Sequence, residues 1–263
     1  MPQIHRAPHP ALADHVRGYY GFREETGAAI RRREGPGSSV VVVISFENEW
    51  RIGNALDPTR PFERHTSFVA GLHDSSVLTE HAGRSEGIQV NLSPPAAYAL
   101  LRVPMDELAR RTVPLEALFG RHADRLVERL RDAASWDARL SLLEQTLAAR
   151  LAAARPPSPG VEWAWRRLRE THGRVRVATL CDELGWSRRR LAARFRHEVG
   201  LPPKAVARLV RLERAIDLLE GDASPGWAAL ALACGYYDQA HLVNEFRAIT
   251  GTTPTTFVAD RAA

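Results

Sequence analysis

The stretch GYYDQAHLVNEFRAITGTTP, residues 235–254, decides how the C-terminal part of the chain folds. Its apolar residues Leu242, Phe246 and Ile249 step by four and then three positions, so they form one face of a helix. A glycine opens the stretch, and a Gly-x-x-Pro group closes it. The stretch therefore predicts a short helix with a defined start and a defined end.

The same pattern occurs once more upstream, in GWSRRRLAARFRHEVGLPP, residues 185–203. Five pairs of identical residues lie 51 positions apart: Leu191 and Leu242, Phe195 and Phe246, Arg196 and Arg247, Gly200 and Gly251, Pro203 and Pro254. A short helical pattern precedes each copy, at 177–184 and at 226–234, and a glycine follows it. Two short helices joined by a tight glycine turn predict a helix-turn-helix, and its second helix fits the major groove of B-DNA.

Residues 203–220, PKAVARLVRLERAIDLLE, separate the two copies and predict one continuous helix. Its apolar residues favour one side, and 18 helical residues span about 27 Å. A rod of that length can hold two recognition helices roughly one DNA turn apart, or about 34 Å. Ser187 and Asp238 are the predicted N-caps of the two recognition helices. Together these features predict a bipartite DNA-binding module.

Charge supports this interpretation. The chain of 263 residues has a formal net charge of +5. Between Arg174 and Arg214 there are 11 basic and 4 acidic residues, a net +7 in 41 residues. Such a cluster is typical of a surface that meets polyphosphate, although a solvated helical surface has the same composition.

Residues about 160–260 resemble the AraC/XylS family of transcription regulators. The family pattern in the second motif combines a Gly-aromatic pair, a Leu or Phe, a Phe-Lys/Arg pair, Gly-x-x-Pro and a final aromatic residue. The matching residues here are Gly235, Tyr236, Leu242, Phe246, Arg247, Gly251, Pro254 and Phe257. The chain departs from the pattern at Val258, where the family often has a basic residue. The resemblance implies a β-rich sensing domain first and the DNA-binding domain last.

The resemblance also indicates which side chains meet DNA. It points to Arg189, Ala192 and Ala193 for base edges. Arginine bonds guanine bidentately, whereas alanine offers only a methyl contact to thymine or permits close approach. Gln239 and Asn244 have the groups that adenine edges require, or they are simply solvent-facing. We expect phosphate contacts from the basic residue after each buried phenylalanine. The predicted DNA-binding residues are Ser187, Arg188, Arg189, Ala192, Ala193, Arg196, Gln239, Ala240, His241, Val243, Asn244 and Arg247.

The first part of the chain has a different pattern. Runs at 15–24, 38–50, 65–72 and 87–93 are rich in β-branched and aromatic residues and predict strands, and helical patterns follow Pro94. The fold class is therefore α+β: an N-terminal cupin-like barrel or small sheet with a helical tail, and a C-terminal all-α domain. We expect a sensing or dimerisation domain at 1–153, a linker at 154–160 and an AraC-type DNA-binding domain at 161–263. A leucine stripe at 136–154 favours either a dimer seam or packing on its own domain.

The sequence thus predicts a sequence-specific transcription regulator controlled by a small-molecule effector in the N-terminal domain. The alternative is an effector-independent regulator or an architectural DNA-binding protein. Expected partners are operator or promoter DNA, an effector, a second copy in a homodimer and, for an activator, RNA polymerase. No cofactor and no metal site is expected, because His65, His73 and His81 lack the close spacing of a cupin metal site.

An enzyme is the main rival class. DNA-repair alkyltransferases, some of which are fused to relatives of this family, need a cysteine activated by a neighbouring histidine. Cys181 and Cys234 have no such neighbour, and no Gly-x-Ser-x-Gly, P-loop or His-Glu-x-x-His motif occurs. We therefore expect no catalytic activity. Two cysteines without a spacing motif and no apolar run of about 18 residues predict a cytoplasmic protein, associated with the bacterial nucleoid through DNA.

Overall fold

The structure is a computed structural model that describes residues 4–57, 59–221 and 225–262. Within these ranges it has a β-rich part followed by a mainly helical part, with twelve α-helices in all. No helix within these ranges is both long and apolar enough to cross a membrane. The predicted division into a β-rich body with a helical tail and a C-terminal all-helical part is confirmed.

Ten strands form two antiparallel sheets. The larger sheet has the order β1-β2-β9-β4-β7-β10, with β1 Ile4–Arg6, β2 Val16–Glu25, β9 Arg84–Leu92, β4 Val40–Ser45, β7 Phe68–Ala70 and β10 Thr112–Pro114. The smaller sheet has the order β3-β8-β5-β6, with β3 Ile30–Glu34, β8 Val77–His81, β5 Trp50–Asn54 and β6 Glu63–His65. The N-terminal body is therefore two sheets rather than one.

The two sheets pack face to face, which explains the unbroken valine run of β4. Successive residues of a strand point to opposite faces. Val42 and Ile44 join the core beneath the helical tail, whereas Val43 packs with Phe68 and with Ile52 of the smaller sheet. Because both faces of β4 are covered, its first five residues are all apolar and show no alternation.

The helical tail covers the outer face of the larger sheet. It consists of α1 Pro94–Leu101, α2 Met105–Leu108, α3 Leu115–Phe119, α4 Arg121–Asp132 and α5 Trp136–Ala152. The leucine stripe of α5 turns towards this sheet: Leu140 and Leu143 are each 1% exposed, and Leu147 and Leu151 pack beside them. Of the two interpretations of the stripe, packing on its own domain agrees with the structure, and the dimer seam stays a prediction.

The C-terminal part has seven helices: α6 Pro159–Glu170, α7 Val177–Leu184, α8 Arg188–Val199, α9 Pro203–Glu220, α10 Trp227–Ala233, α11 Gln239–Thr250 and α12 Pro254–Ala262. α7–α8 and α10–α11 are the two predicted helix-turn-helix units, and α9 is the predicted connecting helix. Between α5 and α6, Ser158 donates its backbone N–H and hydroxyl to the buried carboxylate of Glu198. The connection to α6 is therefore held against α8.

The two units differ in how they join the rest of the molecule. The core of the first unit, with Leu191 and Phe195, is continuous with the core between the larger sheet and its helices. The core of the second unit consists of two small separate clusters, around Leu242 and around Phe246 and Phe257. The first unit thus shares the main core of the protein, whereas the second packs on α9 through small cores of its own.

Candidate nucleic-acid interface

The first helix-turn-helix unit is built by local interactions that the sequence specifies. Gly185 ends α7 with a φ of 63°, a left-handed conformation that glycine adopts without a steric penalty. Ser187 caps α8, because its hydroxyl accepts a hydrogen bond from the backbone N–H of Arg190 at 3.2 Å. Leu191 and Phe195 are fully buried. These contacts fix which face of α8 remains outside.

That outer face carries the residues predicted to contact DNA. Ser187, Arg188, Arg189, Ala193 and Arg196 are exposed, and Ala192 is half-buried. Two exposed arginines that were not among the predicted contacts, Arg190 and Arg194, share the helix; the guanidinium of Arg190 stacks on the ring of Trp186 at 4.4 Å. The high arginine content of α8 is the sequence signal that would have added these two positions.

The second unit repeats the arrangement. Asp238 caps α11 by accepting a hydrogen bond from the N–H of His241 at 2.7 Å. Gly235 has a φ of 77° in the turn. Leu242 and Phe246 are fully buried. The predicted contact residues Gln239, Ala240, His241, Asn244 and Arg247 are exposed, and Val243 is half-buried.

Two residues of this turn restrain His241. The backbone N–H of Tyr237 donates to its Nδ1 at 3.4 Å, and its ring meets the ring of Tyr236 edge-on at 5.4 Å. Tyr237 itself is 93% exposed, beside the N-terminus of α11. Its place between the glycine and the N-cap is the sequence signal that would have singled it out.

Both recognition helices turn their acidic residue inward. Glu198 is the one acidic residue of α8; it is 2% exposed and accepts hydrogen bonds from Ser158. Glu245 is the one acidic residue of α11, and it pairs with Arg208 and Arg211 of α9, each at 3.0 Å. The outward side chains within both helices therefore include no carboxylate, which suits them to the phosphates of a duplex. The exposed carboxylate of Asp238 lies just outside α11, where it caps the helix.

The C-terminal end of α8 packs against the N-terminal part of the chain. It contacts α1 and α2, and Tyr98 and His197 share a hydrogen bond of 3.3 Å between Oη and Nε2. His197 is half-buried there, whereas Arg188, Arg189 and Arg196 stay exposed. The packing thus covers the end of the first recognition helix and leaves its outer face accessible.

A second group of polar side chains lies between the two sheets. Glu24 receives hydrogen bonds from Arg32 at 2.9 Å, and it lies 2.8 Å from Nε2 of His81. Ser85 is directly opposite Glu24 on the neighbouring strand, and the ring of Trp50 lies 4.9 Å from that of His81. Nδ1 of His81, Nε1 of Trp50 and Oγ of Ser85 are buried without a hydrogen-bond partner among the described residues. Buried polar atoms without partners are costly, so their concentration marks this interior as a candidate ligand site.

Metal ligation and thiol chemistry both depend on how cysteine, histidine and acidic side chains are placed. No group of three or more His, Cys, Asp or Glu side chains within it is arranged to hold a metal ion. Cys181 and Cys234 are buried free thiols, and burial raises the pKa of Cys234 to about 11. A thiol with so high a pKa carries little thiolate at neutral pH, and the thiolate is the nucleophilic form.

Comparison with known proteins agrees with this architecture. Residues 180–260 match the family profile of a helix-turn-helix domain, and residues 4–114 match the profile of a domain of unknown function, DUF6597. None of the curated proteins matches the chain in sequence.

Solved structures share the fold over nearly the whole chain. ToxT from Vibrio cholerae is similar at 10% identity with a TM-score of 0.52, over 92% of this chain and 97% of ToxT. ToxT from strain SCE256 with a bound unsaturated fatty acid is similar at 10% identity with a TM-score of 0.54, over 91% of this chain and 94% of that chain. ToxT bound to (E)-4-(8-methylnaphthalen-1-yl)but-3-enoic acid gives 10% identity and a TM-score of 0.51, over 92% and 98%. At this identity the likeness shows a common fold.

Proposed function

Because residues 180–260 carry the helix-turn-helix domain of AraC-type DNA-binding transcription regulators, we propose that this protein binds specific duplex sequences through both units and regulates transcription there. The observation that carries the proposal is the pair of capped recognition helices whose outward side chains are exposed and include no carboxylate within either helix. Operator or promoter DNA is then the main partner, with RNA polymerase as a further partner if the protein activates.

The two recognition helices make different contacts with the duplex in this proposal. Arg189 sits in the first turn of α8 and supplies a bidentate donor for guanine, while Ala192 and Ala193 offer small apolar contacts. Gln239 and Asn244 are exposed on α11 and match adenine edges. Arg196 and Arg247 follow the buried phenylalanines and bind phosphate. Ser187, Arg188, Ala240, His241 and Val243 complete the interface.

The test begins with selection of duplexes from a random-sequence library by the full chain. Fluorescence anisotropy across a salt series then measures affinity for the recovered duplex and for a scrambled duplex of equal composition. We expect the recovered duplex to bind at least about 10³-fold more tightly, with affinity falling steeply as salt rises. Equal affinity for both duplexes, or affinity independent of salt, would overturn the proposal.

We further propose that a small molecule controls the protein by binding to the polar side chains between the two sheets. The support is the set of unpartnered buried atoms on Trp50, His81 and Ser85. ToxT, which shares the fold, has been solved with an unsaturated fatty acid and with a substituted butenoic acid. The effector-independent regulator or architectural protein is the alternative, because a polar interior can also serve packing alone.

A thermal-shift screen against a metabolite library separates these two possibilities. A ligand at 100 times its Kd stabilises the folded state by about 2.7 kcal/mol. The test variant is Trp50→Phe, which keeps an aromatic ring and removes the N–H. We expect a hit for the native chain that Trp50→Phe weakens. A hit that Trp50→Phe leaves unchanged would place the effector elsewhere.

The remaining parts of the proposal concern organisation. We assign residues 1–153 to sensing and dimerisation, 154–160 to a linker and 161–263 to DNA binding. The protein would act in the cytoplasm on nucleoid DNA, as a homodimer. The proposal includes no catalytic step and no cofactor.

A further inference from the structure

The segment REGPGS, residues 33–38, comprises the end of β3 and most of its connection to β4, and it contacts the C-terminal part of the chain. We name it the clasp. At its start, Nη1 of Arg33 donates a hydrogen bond of 3.1 Å to the carbonyl oxygen of Thr250, the last residue of α11. In its middle, Gly35 lies so close to Phe257 that an added β-carbon would be 2.7 Å from the ring. The clasp therefore meets both the second recognition helix and the core beneath it.

At its far end the clasp binds the connecting helix. The backbone N–H of Ser38 donates to Oε1 of Glu213 at 2.6 Å, and the hydroxyl of Ser38 donates to Oε2 at 2.7 Å. Arg169 of α6 pairs with Glu213 and also donates to the Ser38 hydroxyl at 2.7 Å, and Arg17 of β2 donates to that hydroxyl at 3.1 Å. Ser38 is fully buried. A satisfied polar cluster of this kind specifies one geometry rather than a range of geometries.

A contact from β8 acts beside the clasp. The backbone N–H of Ser76, directly before β8, donates to the carbonyl oxygen of Ile249 at 3.0 Å. Arg33 and Ser76 thus satisfy two of the terminal carbonyls of α11 that have no partner within the helix. The smaller sheet fixes the C-terminal end of the second recognition helix, while α1 and α2 fix the end of the first.

The two units need this fixation to different degrees. The first shares a continuous core with the N-terminal part, so its position is set by apolar packing. The second has its own small clusters, so its position relative to the first depends on α9 and on polar contacts such as those of Arg33, Ser38 and Ser76. Fixed relative placement matters for a bipartite reader, because one inserted base pair moves a half-site by about 3.4 Å and rotates it by about 35°.

We propose that the clasp sets the register between the two recognition helices and thereby the half-site spacing that the protein accepts. The proposal rests on the proposed function, since it presumes that both units read one duplex. Arg33, Ser38 and Glu213 are positioning residues in this scheme, because they touch no base. Without the clasp, the second unit would be able to move towards a displaced half-site. The protein would then discriminate less between half-site spacings.

The test compares duplexes rather than absolute affinities. The full chain first selects a duplex from a random library, and derivatives then carry one base pair inserted or removed between the half-sites. The variants are Glu213→Ala, Ser38→Ala and Arg33→Ala, each checked for cooperative thermal unfolding. The matched control is Glu128→Ala, which removes an exposed carboxylate from α4 and so changes the net charge as Glu213→Ala does.

We expect the native chain and Glu128→Ala to bind the altered spacings about tenfold or more weakly than the selected duplex, and the clasp variants to reduce that ratio to about threefold or less. A merely structural role would lower the unfolding temperature or all affinities together and would leave the ratio unchanged, which would overturn the proposal. A native chain indifferent to spacing would overturn it too.

Three further outcomes complete the test and keep this inference apart from the proposed function. If Glu213→Ala fails to fold because Arg169 and Arg17 are left without their carboxylate, Arg33→Ala decides, since it leaves that cluster intact. If the native chain binds no duplex in a salt-dependent manner, the proposed function fails and the inference falls with it. Specific binding by the native chain with unchanged spacing ratios in all clasp variants rejects the inference alone.

Discussion

Arginine supplies nearly all of the positive charge of this protein. Some arginines form ion pairs within the protein, and others are exposed. Arg208 and Arg211 are engaged by Glu245, and Arg169 by Glu213. Arg189 and Arg247 are exposed, and no ion pair with either is seen among the described residues. Charge that is already paired inside the protein contributes little to DNA binding, so the second group should dominate the interface.

Arg189→Ala tests base recognition. Loss of a bidentate donor to guanine costs about 1–3 kcal/mol at the contacted base pair and leaves other sequences almost unaffected. We therefore expect the preference among operator variants to flatten at one position. Affinity measured across a panel of single-base variants provides the readout, and a uniform loss across the panel would assign Arg189 to the backbone instead.

Arg247→Ala tests phosphate contact. A phosphate contact carries no sequence information, so all duplexes should weaken alike, and the slope of log affinity against log salt should become shallower by about one. Titrations at four or more salt concentrations measure this slope. A slope equal to that of the native chain contradicts the assignment.

At the scale of elements, glycines with positive φ end helices at several joints, but their surroundings differ. Gly185 has a φ of 63° and no neighbouring atom within 4 Å of an added β-carbon. Gly173, between α6 and α7, has a φ of 72°, and an added β-carbon would lie 2.2 Å from the carbonyl oxygen of Ala207 in α9. The first glycine is required by conformation alone, and the second also by close packing.

Substitution by alanine should separate these two requirements. Gly185→Ala should cost about 1 kcal/mol of unfolding free energy, the penalty of a left-handed residue with a β-carbon. Gly173→Ala should cost about 3 kcal/mol or more, because the backbone of α9 has to move. Urea denaturation of the full chain measures both values. Equal losses would show that the contact with α9 is absorbed without strain.

The elements predicted from sequence are those whose signals are local. The caps Ser187 and Asp238, the 3.6-residue periodicity and the 51-residue repeat specified α7–α11 with bounds close to those observed. β3 was not predicted, because IRRRE lacks an apolar face and owes its place to cross-strand partners such as Glu80, which pairs with Arg31. In the sequence, the clasp is only a cluster of residues typical of turns, REGPGS. Ser38 and Glu213 are 175 positions apart, and no local pattern reports such a contact.

At the scale of the molecule, the continuous core implies that the DNA-binding part depends on the rest of the chain. Gly200, at the end of α8, approaches the backbone of Met105 so closely that an added β-carbon would lie 3.0 Å from its carbonyl oxygen. Met105 is 1% exposed, and α2 packs along α8. Removal of the N-terminal part would expose this apolar end of the first unit to water.

We therefore expect the fragment 161–263 to unfold at a lower temperature than the full chain and to bind dye probes of exposed apolar surface. Thermal unfolding followed by circular dichroism compares the two. The deficit should map to α7 and α8 in hydrogen exchange, because the second unit keeps its own clusters. A fragment as stable as the full chain, with protection equal in both units, would contradict this expectation.

The inward carboxylate of α8 has an evolutionary consequence. Glu198 accepts a hydrogen bond from Ser158, and the C-terminal end of α8 packs against α1 and α2. Substitutions in the first recognition helix must therefore preserve two contacts within the protein as well as those with the duplex. In α11, Glu245 contacts α9, and the smaller sheet holds the end of the helix through backbone carbonyls, which do not depend on the outward side chains. When the sequence of a binding site in the genome changes, substitutions in α11 can restore binding with little loss of stability. Related regulators should therefore diverge first in the half-site that α11 contacts.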